Sequence, residues 1–153
     1  MRIGLIADTH GLLRPQALEF LQGSDAILHA GDIGDASILE RLTALAPLTV
    51  VRGNNDTAAW AASIPETVEL DFAGVAVHML HDLKTLACDP GARGVRVVVA
   101  GHSHKPGCHE RDGVLFVNPG SAGPRRFRLP VSVGELRIAE GTVEVRLQEL
   151  AVG

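Results

Sequence analysis

Apolar runs along the chain repeatedly stop on a side chain that can bind a cation. Arg2-Ile3-Gly4-Leu5-Ile6-Ala7 ends in Asp8-Thr9-His10, and Ala26-Ile27-Leu28-His29-Ala30 ends in Gly31-Asp32. Leu48-Thr49-Val50-Val51-Arg52 ends in Gly53-Asn54-Asn55-Asp56, and Val75-Ala76-Val77-His78-Met79-Leu80 ends in His81-Asp82. Val97-Val98-Val99-Ala100 ends in Gly101-His102-Ser103-His104. Short runs rich in Val and Ile, closed by Gly or Asp, read as buried strands. Ligands gather at the carboxyl ends of the strands in α/β sheets, so these five ends can bring their polar residues into one crevice.

The stretches between the runs complete the pattern. Pro15 is a favoured first helical residue, and Ala17, Leu18 and Leu21 follow at helical spacing until Gly23. Asp35 is placed to cap a second helix with Ile38, Leu39, Leu42 and Leu45 on one stripe, ended by Pro47. Strand, helix, strand, helix, strand at this spacing predicts a parallel unit. Residues Ile64 to Ala73, a turn at Gly74 and Val75 to Leu80 predict a hairpin, followed by a short helical or irregular piece from Leu83 to Gly94. Gly113 to Val117, Val131 to Ile138 and Thr142 to Leu150 are strand-like, with His109 in a charged, solvated turn before them. The expected fold class is α/β: two mixed sheets packed as a sandwich, one from each half, flanked by helices, with residues 1–153 as a single domain.

Composition narrows the function. A net charge of −4 provides no basic footprint for nucleic acid. With no Tyr and one Trp, stacking platforms of the single-strand-binding kind are not expected. Asp8 interrupts the first apolar run too early for a signal core, and no stretch reaches membrane-spanning length, so a cytoplasmic protein is expected. Cys88 and Cys108 form no CxxC pair and are expected as free thiols. No Walker-type loop supports nucleotide-driven chemistry.

Taken in order, Asp8-x-His10, Gly31-Asp32, Gly53-Asn54, His81 and Gly101-His102-x-His104 resemble the signature of the calcineurin-like metallophosphoesterases. Asn118-Pro119-Gly120-Ser121, followed by Pro124-Arg125, resembles the small single-domain phosphodiesterase branch of bacteria and archaea. The resemblance implies one metal held by Asp8, His10, Asp32 and His104, and a second by Asp32, Asn54, His81 and His102. Asp32 would bridge the ions together with a hydroxide, which would be the nucleophile toward a small phosphodiester substrate. Asp32, Asn54, Asn55 and His102 are thereby the expected catalytic residues, with Asn55 and Arg125 as substrate contacts. Mixed nitrogen and oxygen donors suit Mn, Fe, Zn, Co or Ni, and the resemblance favours Mn.

The chain departs from that pattern twice. Asn55 stands where many relatives carry His or Cys, and an amide cannot act as a general acid near neutral pH, so activated aryl esters are expected to outrun alkyl ones. Asp82 follows His81 where relatives commonly show His-Gly-His. The alternative from another class is a non-catalytic interaction module, since the retromer subunit similar to this branch serves as a scaffold with an altered metal site. His29 and His78 are expected as structural histidines, Trp60 as packing near the cleft, and the Asn118 to Ser121 turn as chain reversal beneath the site. So small a chain covers a metal pair with little, and an open cleft walled by a homo-oligomer is expected.

Overall fold

The structure, a computed structural model, describes residues 1–152. Two five-stranded mixed sheets face each other. In the first, β1 (Arg2–Ile6), β2 (Ala26–His29) and β3 (Leu48–Val50) run parallel, linked by helices α1 (Pro15–Leu21) and α2 (Ala36–Thr43). Pro15 starts α1, and the Asp35 carboxylate accepts the Ser37 N–H at 2.9 Å to cap α2, as the sequence predicts.

The second sheet begins with the predicted hairpin. Strands β4 (Thr67–Phe72) and β5 (Val75–Leu80) pair antiparallel through a turn whose central residues, Ala73 and Gly74, both have positive φ. Beside β5 run β6 (Val97–Val99) and β8 (Val114–Asn118), all three parallel, and β7 (Gly107–Arg111) closes the edge antiparallel to β8. The segment after β5 holds only two short 3-10 turns, Leu83–Thr85 and Gly91–Arg93.

Two expectations are corrected. The stretch around His109 is an edge strand rather than a turn; its polar residues are compatible with a strand because β7 is almost wholly exposed. Nor do the sheets divide the chain into halves: β9 (Ser132–Ala139) and β10 (Thr142–Glu149) return to the first sheet, with β9 antiparallel to β1. Inserted there, β9 is buried along most of its length, and its one buried acid, Glu135, lies 2.8 Å from the Arg2 guanidinium.

Strand alternation explains the layers. Ile3, Leu5 and Ala7 face Val77, Met79, Val97 and Val99 across the inter-sheet core. Ile6 and Ile27 face outward to Ala17, Leu21, Ile38 and Leu42 of the helices. On the far side of the second sheet Val98, Ala100, Val114 and Phe116 form a smaller cluster, with Leu86 packed against it. No described helix is long and apolar enough to cross a membrane.

Because the parallel strands of both sheets point the same way, their carboxyl-end loops meet, and backbone bonds stitch them. Asp8 N–H donates to Gly31 O at 3.0 Å, His10 N–H to Asp32 O at 2.9 Å, Gly101 N–H to His81 O at 2.9 Å and Ala122 N–H to Ala7 O at 3.0 Å. Asp56, to which the sequence alone assigned no role, is the chief fastener. Its buried carboxylate accepts the backbone N–H groups of Asp32, Ile33 and Gly53 at 2.9 Å each and that of Gly34 at 3.3 Å, tying the β2 loop to the β3 loop. Removing the acceptor strands several buried donors at about 1–3 kcal/mol each. Asp56→Ala should therefore lower unfolding free energy, measured by urea titration, by about 3 kcal/mol or more, whereas a loss below about 1 kcal/mol would dismiss the fastening role.

Candidate metal centre

All seven predicted ligands lie on the stitched loops and converge. Asp8 and His10 follow β1, Asp32 follows β2, Asn54 follows β3, His81 follows β5, and His102 and His104 follow β6. Asp8, Asp32, His81 and His104 are buried, His10 is half-buried, and Asn54 and His102 are exposed toward solvent. The loops must bend sharply to aim these side chains at one point. Asp8, His10, Asp32, His102 and His104 accordingly all adopt left-handed backbone, with φ between 45° and 72°. Each such residue costs of order 1 kcal/mol, and Asp and His are among the residue types that tolerate it best.

Two glycines make room. A Cβ at Gly53 would strike the Asp32 carboxylate and its backbone nitrogen. One at Gly101 would lie 2.9 Å from Asp8 Oδ2 and 3.0 Å from Ala7 Cβ. The glycines before Asn54 and His102 are therefore required by close approach.

The donor atoms form two groups, each within 4.8 Å: Asp8, His10 and His104 in one, Asp32, His81 and His102 in the other. Nε2 of His10 and His104 are 3.3 Å apart, and both aim at Asp8 Oδ1, at 3.8 and 3.6 Å. His81 Nε2 is 3.2 Å from Asp32 Oδ2 and 3.8 Å from Asp8 Oδ1, so the groups adjoin. Asn54 Oδ1 and His81 Nε2 lie 3.1 and 3.3 Å from His102 Nδ1.

Several contacts fix which nitrogen faces the centre. His81 Nδ1 donates to Ala30 O at 2.7 Å, leaving Nε2 as the inward atom. His102 turns Nε2 toward Asp82 Oδ2, 3.7 Å away, and presents Nδ1 inward. Asp82 thus adds a carboxylate behind His102. Asp32 is held by Asn55, whose backbone N–H donates to Oδ1 at 2.9 Å and whose amide donates to Oδ2 at 3.3 Å. Asn55, expected to face substrate, spends its amide on Asp32.

The electrostatics favour cation ligation. Burial lowers the His10 and His104 imidazoles, His104 to about 4 with the Arg126 charge contributing, so both are neutral at pH 7. Burial works against a charged His81, but hydrogen bonds to Asp32 and Ala30 and both carboxylates outweigh it and raise its pKa. Asp32 is pushed up by burial and pulled further down by the His81 and Asn55 hydrogen bonds, ending low. Asp8 is pushed up to about 7, chiefly by burial, with Asp32 adding to the rise and His81 opposing it. Its Oδ1 has no hydrogen-bond partner among the described residues. A buried carboxylate oxygen without a donor, ringed by imidazole nitrogens, fits a divalent cation with nitrogen and oxygen donors.

Residues around the centre fall into place. His29 is fully buried: its Nδ1 accepts the Gly31 N–H at 3.1 Å, so Nε2 donates to Thr9 Oγ1 at 3.0 Å, and Thr9 donates to Ile33 O at 2.8 Å. Burial lowers its pKa to about 3, which keeps it a neutral strut. His78 lies against Glu69 at 3.3 Å, and Trp60 packs among the helix-side residues. Beneath the site the Ser121 hydroxyl donates to Asp8 O at 3.0 Å, while the Asn118 amide donates to Gly101 O at 3.0 Å and Ser103 Oγ at 3.1 Å. Arg125 is exposed; its neighbour Arg126 is the arginine whose charge reaches Asp8, His10 and His104.

With this geometry in view, the similarities are informative. A probable metallophosphoesterase of Methanothermobacter thermautotrophicus is 33% identical over 153 residues, covering 90% of this chain and 86% of the relative. The crystal structure of an archaeal phosphodiesterase superposes with a TM-score of 0.80 at 22% identity, over 97% of this chain and 100% of the other. Vps29 from Entamoeba histolytica, solved with Zn2+, gives a TM-score of 0.74 at 24% identity, over 97% and 99%. The model of the calcineurin-like phosphoesterase superfamily domain matches residues 1–141, and the chain belongs to that superfamily.

Proposed function

We propose that the protein is a dimetal phosphodiesterase. The observation that carries this reading is the unsatisfied, buried Asp8 Oδ1 beside Asp32, with imidazole nitrogens from three loops turned on the pair. Asp8, His10, Asp32 and His104 would hold one divalent ion, Mn being favoured, and Asp32, Asn54, His81 and His102 the other. When bound, the ions supply Lewis-acid charge to a phosphate and lower the pKa of water toward neutrality for attack on phosphorus.

The chain's own residues do the rest. Asn55 fixes both oxygens of Asp32 and so sets where a carboxylate can be shared. It has no proton to give an alkoxide at neutral pH, so good leaving groups such as aryl oxides should depart fastest. Arg126 adds positive charge that reaches Asp8, and Arg125 beside it is the phosphate contact of this reading. The diester preference draws support from the structural relative, an archaeal phosphodiesterase. The competing scaffold role draws support from the likeness to Vps29.

Metal-stripped protein titrated with Mn should gain hydrolysis of bis(4-nitrophenyl) phosphate, and Asp32→Asn treated identically should fall by about 10² or more, the scale of losing a principal charge-stabilising group. Turnover by Asp32→Asn at the native rate would refute the mechanism, and protein that takes up no metal would favour the scaffold.

Stability gives a test without turnover. The folded-state pKa of Asp8, about 7, lies above the ordinary value of 3.8. Between those values the native state binds more protons than the unfolded chain, so the stability that Asp8 contributes to metal-free protein is whole below about pH 4 and lost as pH rises to about 7. Metal requires the carboxylate and should reverse the loss. At pH 8, Asp8→Asn in chelator should melt at or above the metal-free wild type and gain little on adding Mn, while the wild type gains. A metal-induced rise in Tm equal in both proteins would remove Asp8 from the centre.

A further inference from the structure

A groove of about 1010 Å³ runs away from the centre across the outer face of the second sheet. His102 and Asn118 line its near end, the segment after β5 forms one wall, and β7 forms the other. Its volume is at the upper end of the roughly 300–1,000 Å³ typical of small-molecule sites, ample for a nucleotide. Val98, Ala100 and Phe116 provide an apolar floor.

The wall on β7 is a prebuilt flat surface. The His109 ring lies parallel to Phe116, 8° off, with centroids 5.1 Å apart, and the Arg111 guanidinium sits 4.9 Å from the centre of the same ring. Strand alternation puts His109 and Arg111 on the groove side and leaves Cys108 and Glu110 out of its lining. A ring already backed by another ring loses little freedom when a third stacks on it. The rim sets the size of the guest. Asp82, Asp89 and Asp112 share the lining with Lys84, Lys105 and Arg111. A charge-balanced rim gives a polyanionic strand no net attraction but offers donors and acceptors to the edge of one base and its sugar.

We propose that this groove seats one arm of a phosphodiester, and that the arm is a nucleoside whose base stacks on His109. The position of the phosphate rests on the phosphodiesterase reading above. His109 is here a specificity residue, remote from the reacting atoms.

Cys88, half-buried in the groove lining, reports occupancy directly. In Mn-loaded Cys108→Ser protein, adenosine 5′-monophosphate at about four times its dissociation constant should slow iodoacetamide alkylation of Cys88 about fivefold. Ribose 5-phosphate should leave that rate unchanged, and adding His109→Ala should abolish the nucleotide's protection. In parallel, His109→Ala should raise KM for thymidine 5′-(4-nitrophenyl phosphate) about tenfold, within the range of one lost stacking contact. Its turnover of methyl 4-nitrophenyl phosphate should be unchanged. Equal protection by both phosphates, or by neither, together with an unchanged KM overturns the proposal. Protection of Cys88 without hydrolysis of either diester upholds the groove and refutes the phosphodiesterase reading. Hydrolysis of the methyl ester with neither protection nor a KM effect refutes the groove alone.

Discussion

Two carboxylates, Asp8 and Asp32, are buried at adjoining points, and the rest of the structure answers that constraint. Burying one acid is costly, and burying two together is tolerable only with compensating charge. Protein groups compensate Asp32 well, through the His81 ring and the N–H donors of Asn55, but leave one oxygen of Asp8 bare. That imbalance distinguishes a cation site from a polar core. The His10 and His104 imidazoles are neutral, so they offer lone pairs rather than charge.

Holding such a centre requires more than ligands. Five of the seven predicted ligand residues sit in left-handed backbone, a combined strain that a loose loop would relieve. It persists because the loops are overdetermined: Asp56 clamps the two loops of the first sheet, His29 and Thr9 brace them from below, and Ser121 anchors the Asp8 loop to the return toward β9. Placing β9 beside β1 brings the chain from Ser121 onward back beneath the centre, an arrangement that separate half-chain sheets would not provide.

The strand-end polar residues were legible because strand, turn and ligand coincide in a few consecutive positions, as in Val99-Ala100-Gly101-His102. The hairpin and both helix starts were legible for the same local reason. What was hidden depends on contacts distant in sequence. Asp56 looks like any turn acid until Asp32, Ile33 and Gly34 are seen to lack other acceptors, although its place two residues beyond Asn54 in a strand-end loop was an available hint. The pairing of β9 with β1 joins residues at opposite ends of the chain, as in Arg2 with Arg137, and no local pattern encodes that. The β7 strand was missed because an exposed edge has no apolar alternation to read.

We propose that seven side chains from five strand ends hold a pair of divalent ions sharing Asp32. Metal-stripped protein reconstituted with Mn should bind two ions per chain and give the electron paramagnetic resonance spectrum of an exchange-coupled pair. A single ion per chain, or two ions with uncoupled spectra, would contradict a carboxylate shared at Asp32.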